Sequence, residues 1–157
     1  MKSFDQWNNE KQKINKQHKL PLFKEREVFY AQLGLNIGYE QDGVGNKFIR
    51  PVIVFKKFNN SLFWAIPLTS RIKTGKYYFE FSFLEEKKSC AILSQLRIID
   101  ARRLLNKIGM ISKTDFMSLY KKMNDLLIKH SSFYNFLPRD IKSRNLKSLV
   151  VPKEFVI

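Results

Sequence analysis

The sequence predicts an α+β, mostly β fold: five to six short strands forming a small barrel or strongly bent sheet, with a helix at either flank. Three observations lead there. Short apolar or alternating runs recur between glycine, proline and charged breaks from Lys24 to Ile111. Helical periodicity is confined to the two flanks of that region. A chain of 157 residues with 44% hydrophobic and 14% aromatic content has ample material for the core of one domain.

In chain order, Ser3 and Gln6 have the spacing of a capping box opening a helix from about Phe4 to Gln17. Its apolar content is chiefly Phe4, Trp7 and Ile14, which predicts docking along one narrow stripe with the lysines in water. Pro21 ends this arm, and Lys24 to Leu33 alternates as a first strand. A polar, glycine-punctuated loop follows from Gly34, holding Glu40, Gln41 and Asp42. Arg50-Pro51 then opens an apolar run to Phe55, a turn falls at Asn59-Asn60, and Leu62 to Thr69 reads as the next strand. If these two strands pair antiparallel, the start of one lies beside the end of the other, which brings Arg50 to Thr69. A loop this long tends to be a lid or binding loop, so Glu40 can share their pocket.

Arg71 to Gly75 is a basic turn, and Lys76 to Phe83 alternates aromatic and polar residues as a half-buried strand. Glu85 to Lys88 reads as a charged turn and Ser89 to Ile98 as one further strand. Asp100 is placed to cap a short helix from Ala101 to Leu105, before a last strand around Lys107 to Ile111. Ser112 with Asp115 caps the final helix, whose Phe116, Leu119, Tyr120, Met123, Leu126 and Leu127 form a stripe laid over the sheet. Residues 131–157 form a basic extension in which Leu149 to Val151 and Phe155 to Ile157 are short apolar runs fit for an edge strand. The predicted division is a helical arm (1–20), a central domain (21–130) and this extension.

The formal net charge is +15, from 29 Lys plus Arg against 14 Asp plus Glu, which favours a polyanionic partner. No apolar run is long enough to span a bilayer and the first twenty residues lack a signal-peptide core, so a cytoplasmic location without membrane contact is expected. Cys90 is the single cysteine and is expected as a buried, inert thiol. With only His18 and His130 besides, neither a zinc site nor a histidine acid–base pair has suitable spacing, so no metal and no cofactor is expected. The chemistry falls to carboxylate, hydroxyl and guanidinium groups.

Gly38-Tyr39-Glu40-Gln41, Arg50-Pro51-Val52-Ile53-Val54, Pro67-Leu68-Thr69-Ser70 and Ser94-Gln95-Leu96-Arg97 through Asp100 occur in order and end in Ile108-Gly109. In these blocks the chain resembles the MazF/PemK family of toxin endoribonucleases, over roughly Glu25 to Leu127. The resemblance implies an SH3-like small barrel of the MazF/CcdB type with an extra N-terminal helix, a homodimer, and DNA contact by way of the antitoxin complex. It carries the family's catalytic arginine onto Arg50, its catalytic threonine onto Thr69 and its loop glutamate onto Glu40. In one respect the chain departs from the pattern: Ser94 and Ile92 stand where some members hold an acidic residue and a basic one. That second acid–base pair is absent here, which leaves the burden on Glu40 and Arg50.

The residue chemistry fits the same reaction. Attack of an RNA 2′-hydroxyl on the adjacent phosphate needs a base, positive charge for the phosphorane-like state and an acid for the leaving 5′-oxygen. Arg50 offers planar donors to the phosphate, Thr69 and Ser70 offer hydroxyls, and Glu40 offers the base. Arg71, Lys73 and Lys76 can track the RNA backbone, Gln41 and Arg97 can contact it, and Tyr39 or Phe48 can stack on bases. Each has a plainer reading: Arg50 as a strand-start charge, Thr69 as a β-former, Glu40 as a solvated loop residue, Phe48 as core, Arg97 as an ion-pair partner of Asp100. The N-terminal arm likewise reads either as a solvated helix or as an arm touching RNA or antitoxin.

The expected function is a metal-independent, single-strand-specific endoribonuclease toxin leaving 2′,3′-cyclic phosphate and 5′-hydroxyl ends, silenced by an acidic antitoxin. Two alternatives remain: a gyrase-binding toxin of the same fold, which catalyses nothing and would use Phe155, and an RNA-binding module without activity.

Overall fold

The structure, a computed structural model, describes residues 2–84 and 87–129. The expectations for Glu85 and Glu86 in the charged turn, for His130, and for residues 131–157, including Phe155, lie outside the described residues. The elements run α1 (Phe4–Asn15), β1 (Glu27–Gln32), β2 (Ile49–Lys57), β3 (Leu62–Thr69), β4 (Tyr78–Leu84), β5 (Lys87–Ile92), β6 (Arg97–Asp100), β7 (Leu104–Met110) and α2 (Lys113–Lys129). Short 3-10 turns at Leu93–Gln95 and Ala101–Arg103 flank β6.

All strand pairings are antiparallel, in the order β4-β5-β3-β2-β1-β7, with β6 also paired to β3. The fold is α+β and mostly β, as expected, but the sheet is not closed by hydrogen bonds. Its two ends, β4 and β7, meet through side-chain packing. A Cβ on Gly109 would stand 2.5 Å from the Phe83 ring and 3.1 Å from the Phe83 carbonyl, so glycine is what lets β7 come this near β4.

β2 is the axis of the molecule because it is buried on both faces. Val52 and Val54 join Phe29, Ala31, Phe63, Ala65 and Ile99 in one core, while Ile53 and Phe55 join Ile66, Leu68, Phe81, Leu119 and Met123 in the other. Each side chain fully buried in this way contributes roughly 1.5–3 kcal/mol. Arg50, at the start of β2, is therefore attached to one of the least movable segments of the chain. α2 covers the second core with Leu119 and Met123 fully buried, while Phe55 stacks on Tyr120 at 5.5 Å between ring centroids. Leu127, expected in the stripe, is 55% exposed; it lies one position past Leu126 and points off the packed face.

The caps divide. Ser112 Oγ accepts from the Asp115 N–H at 3.0 Å, the expected cap at the head of α2, and donates to the Asp115 carboxylate at 2.9 Å, so the carboxylate takes the hydroxyl where a full box would take the Ser112 N–H. Asp100 accepts from the Arg102 N–H, as expected, but the helix it caps is a single 3-10 turn, Ala101–Arg103, rather than Ala101 to Leu105. Ser3 precedes α1 but makes no capping bond with its side chain; with ψ at 83° its backbone departs from the extended geometry that aims the hydroxyl at the first turn. α1 is held by docking instead, through Trp7 and Ile14.

The expected single strand from Ser89 to Ile98 is two strands. β3 bends, pairing Leu68 with Ala91 of β5 near one end and Leu62 with Asp100 of β6 at the other. Carrying the first register along would set Leu62 opposite Arg97, so the chain advances three residues between the two pairings. The Leu93–Gln95 turn absorbs them, and it leaves Gln95 off the ladder.

Candidate functional site

Antiparallel pairing of β2 with β3 matches Val52 to Pro67; two steps further the same register faces Arg50 with Thr69. The juxtaposition expected from strand order is therefore present. The Arg50 guanidinium is fixed by two main-chain carbonyls, donating Nε to Asp42 and Nη1 to Leu68 at 3.1 Å. Nη2 has no protein partner among the described residues. Burial lowers the Arg50 pKa and the Asp42 charge opposes the shift, so the group remains a cation. Thr69 Oγ1 accepts from the Arg71 N–H at 3.2 Å, which orients its lone pairs toward the turn and leaves the hydroxyl proton free to donate.

Arg50 and Thr69 lie on the wall of a cavity of about 840 Å³. Gln41, Ser70, Arg71 and Lys73 line it as well, all anticipated, together with Tyr30, Ser89, Phe83 and Ile92. Arg50, Arg71 and Lys73 give it three cations, and among the described residues no carboxylate lines it. Such a surface suits an anion: cations outnumber carboxylates among its described residues, and Thr69 and Ser70 add hydroxyl donors. Tyr30 was not anticipated. Its position is the one exposed step of β1, an outward-facing aromatic in an otherwise buried strand, and that break in pattern was the available signal.

The remaining expected residues sit elsewhere. Glu40 does not line the cavity: its carboxylate is exposed and accepts from the Ile37 N–H in its own turn at 3.3 Å. Tyr39 beside it is fully exposed. Phe48 is buried against Trp7, with ring centroids 5.4 Å apart, so of its two readings core is the one observed. Lys76 lies over Tyr77 outside the cavity. Arg97 does not pair with Asp100, which is taken by Arg102; its Nη1 reaches Asn36 Oδ1 at 3.5 Å on a separate cleft of about 390 Å³. Ile92 is buried in the cavity wall and Ser94 is exposed. Cys90 is buried, as expected, with Sγ 3.6 Å from the Lys73 carbonyl.

Gln95, which the sequence marks only as part of the Ser94-Gln95-Leu96-Arg97 block, has a positioning contact in the structure. Off the ladder in its 3-10 turn, its side-chain amide accepts from Gln41 N at 3.0 Å and donates to the Tyr39 carbonyl at 3.2 Å. It thus holds the two residues that flank Glu40. Among the described residues, no three His, Cys, Asp or Glu side chains gather in a way that could hold a metal ion, and no helix is long and apolar enough to cross a membrane.

Among solved structures, the chain is similar to MazF from Deinococcus radiodurans (19% identity, 69% of this chain and 97% of that one covered, TM-score 0.54). It is also similar to an endoribonuclease in complex with its cognate antitoxin from a mycobacterial species (10% identity, 68% and 95% covered, TM-score 0.51). The Mycobacterium tuberculosis toxin MazF-mt6 is a further likeness (15% identity, 65% and 96% covered, TM-score 0.50). At these identities the likeness is one of fold. No curated protein matches by sequence. A family model described as the PemK-like, MazF-like toxin of type II toxin-antitoxin systems matches residues 24–127, the whole sheet, the Arg50–Thr69 pair and most of α2 included. By that match the chain belongs to the PemK-like, MazF-like toxins of type II toxin-antitoxin systems.

Proposed function

We propose that the protein is an endoribonuclease that cleaves single-stranded RNA at the Arg50–Thr69 cavity. The observation that carries this reading is the half-buried Arg50 guanidinium, fixed by two carbonyls opposite Thr69 in a cavity lined by three cations. A scissile phosphate there would meet Arg50 Nη2 and the Thr69 hydroxyl. Both groups are held before substrate arrives, so they stabilise the extra charge of the phosphorane-like state with little reorganisation. The 2′-hydroxyl attacks phosphorus, its proton passes to a base, and the 5′-oxygen leaves with a proton. A 2′,3′-cyclic phosphate and a 5′-hydroxyl result, with metal given no role.

Glu40 keeps the role of base on one condition: its turn must swing toward the bound phosphate. The side-chain bond it would surrender is 3.3 Å long and solvent-exposed, and the swing must also loosen the Gln95 bonds to Tyr39 and Gln41, each worth roughly 1 kcal/mol net, so the binding of RNA has to supply that exchange. Arg71 and Lys73 extend the cationic wall along the strand, and Tyr30 offers an aromatic face to a neighbouring base. An acidic antitoxin segment would occupy the same wall, and a homodimer would set two such cavities in one particle.

Substituting deoxyribose at the cleaved nucleotide tests the reaction. Binding should persist, cutting should stop, and affinity should fall steeply with salt. Cutting at a deoxy position would mean that water attacks. A second reading, RNA binding without cleavage, is favoured by the position of Glu40, whose carboxylate closes its own turn and does not line the cavity. It predicts salt-dependent binding with intact all-ribose RNA recovered.

A further inference from the structure

The loop from Gly34 to Phe48 makes the two contacts that connect α1 with Arg50, and α1 lies outside the residues matched to the family. Apolar docking of α1 runs through Trp7 and Ile14, and the partners in that cluster are Phe48 and Leu35, one from each end of the loop. Trp7 also lies so close over Gly34 that a Cβ there would stand 2.1 Å from the indole. Gly34 has φ +85°, a conformation glycine accepts without strain; Phe48, at φ +53°, does not have that freedom and is held in place by the Trp7 contact. On the other side Arg103 braces the indole, its guanidinium 5.4 Å from the ring centroid and bonded to the carbonyls of Gln32 and Leu33.

Polar contacts continue the connection. Lys2 Nζ pairs with Asp42 Oδ2 at 2.7 Å and donates to the Asn36 carbonyl at 2.7 Å. Asp42 Oδ1 accepts from the Asn36 N–H at 2.6 Å, and the Asp42 carbonyl is the one that receives Arg50 Nε. A helix of 12 residues with two buried side chains has no stability of its own in water, so what it is docked to is what it orders. We propose that α1 is a clamp on this loop, with Trp7 and Lys2 as positioning residues that hold the Asp42 carbonyl where it aims Arg50 into the cavity. The inference rests on the nuclease reading for its effect on rate, but not for its effect on the loop.

The test uses the full chain with Trp7→Ala, Trp7→Phe and Lys2→Glu. Lys2→Glu is a surface change that preserves the apolar contact and so guards against a Trp7→Ala protein that fails to fold. Hydrogen exchange is read at Asn36, Gly43 and Val44, whose N–H groups bond within the loop and to Ile49, and at Val52 and Ile53 in β2. Cleavage of a short RNA is measured for kcat and KM. Trp7→Ala and Lys2→Glu should speed loop exchange at least about tenfold and leave β2 unchanged. They should lower kcat by roughly 10- to 100-fold, as misplacement by an ångström does, with KM within about threefold. Trp7→Phe should restore most of both. Loop exchange at the wild-type rate overturns the clamp, as does an open loop with unchanged kcat, or a loss confined to KM, which would make α1 an RNA-binding arm. If the wild-type protein cuts no RNA, the nuclease reading fails by itself and the exchange data alone decide the clamp.

Discussion

Replacing Arg50 by alanine removes the guanidinium that spans the Asp42 and Leu68 carbonyls on the cavity wall. Leaving a buried carbonyl without a donor costs roughly 1–3 kcal/mol. The Leu68 carbonyl is fixed in β3 and the Asp42 carbonyl is held by the loop contacts, so the loss should lie within that range. Against the ~5–15 kcal/mol of a typical domain the protein stays folded, and its rate can be read. Losing one fixed electrostatic contact to the transition state costs about 10²- to 10³-fold in rate. Single-turnover cleavage of a fluorogenic RNA with enzyme in excess measures that step, and a thermal melt of the same sample confirms that it is folded. Arg50→Lys should recover little, because an ammonium keeps the charge but cannot reach two carbonyls and a phosphate in one plane. A folded Arg50→Ala protein within a few-fold of wild type would refute the placement of the reaction in this cavity.

Three further outcomes follow from the packing and the charges. Ser112→Ala breaks both bonds of the α2 cap and should cost about 0.5–2 kcal/mol in chemical denaturation, whereas Ser3→Ala, with no capping bond to lose, should change stability by no more than a few tenths. Gly109→Ala drives a methyl into Phe83 and should destabilise by roughly 1–3 kcal/mol, with Phe83→Leu partly relieving it in a double-mutant cycle. The side-chain hydrogen bond from Arg102 holds the Asp100 carboxyl below its ordinary 3.8. A carboxylate with a depressed folded pKa contributes stability above its unfolded pKa and loses it as pH falls through the folded value. Asp100→Asn should therefore flatten the acid limb of the stability curve below about pH 4 and leave its shape near neutrality unchanged.

The parts of the fold that local pattern encodes were legible, and the parts that depend on long-range geometry were not. The β2–β3 pair is written in two apolar runs around an Asn-Asn turn, and their antiparallel order alone brings Arg50 to Thr69. The α2 cap is written in four consecutive residues. The break between β5 and β6 is not, because two polar residues, Ser94 and Gln95, between apolar ones are also what a half-buried strand carries, while the three-residue step is set by the register of a bent β3. Gln95 gains its role only through that step. The length of the loop and the family resemblance both point Glu40 toward the pocket, yet in the structure this loop carboxylate closes its own turn on the N–H three residues back. Lys2 and Trp7 meet the loop across more than twenty-five residues of sequence, a contact that no short motif records.

The central claim is that the Arg50–Thr69 cavity cleaves RNA through its own 2′-hydroxyl. The most direct measurement is to incubate the purified protein with a long single-stranded RNA in EDTA and determine the chemistry of every new end. The account predicts cuts that survive chelation, with 5′-hydroxyl ends that accept phosphate from a polynucleotide kinase and 2′,3′-cyclic phosphates on the other side. Intact RNA, 5′-phosphate ends, or activity that returns only with added Mg²⁺ would contradict it.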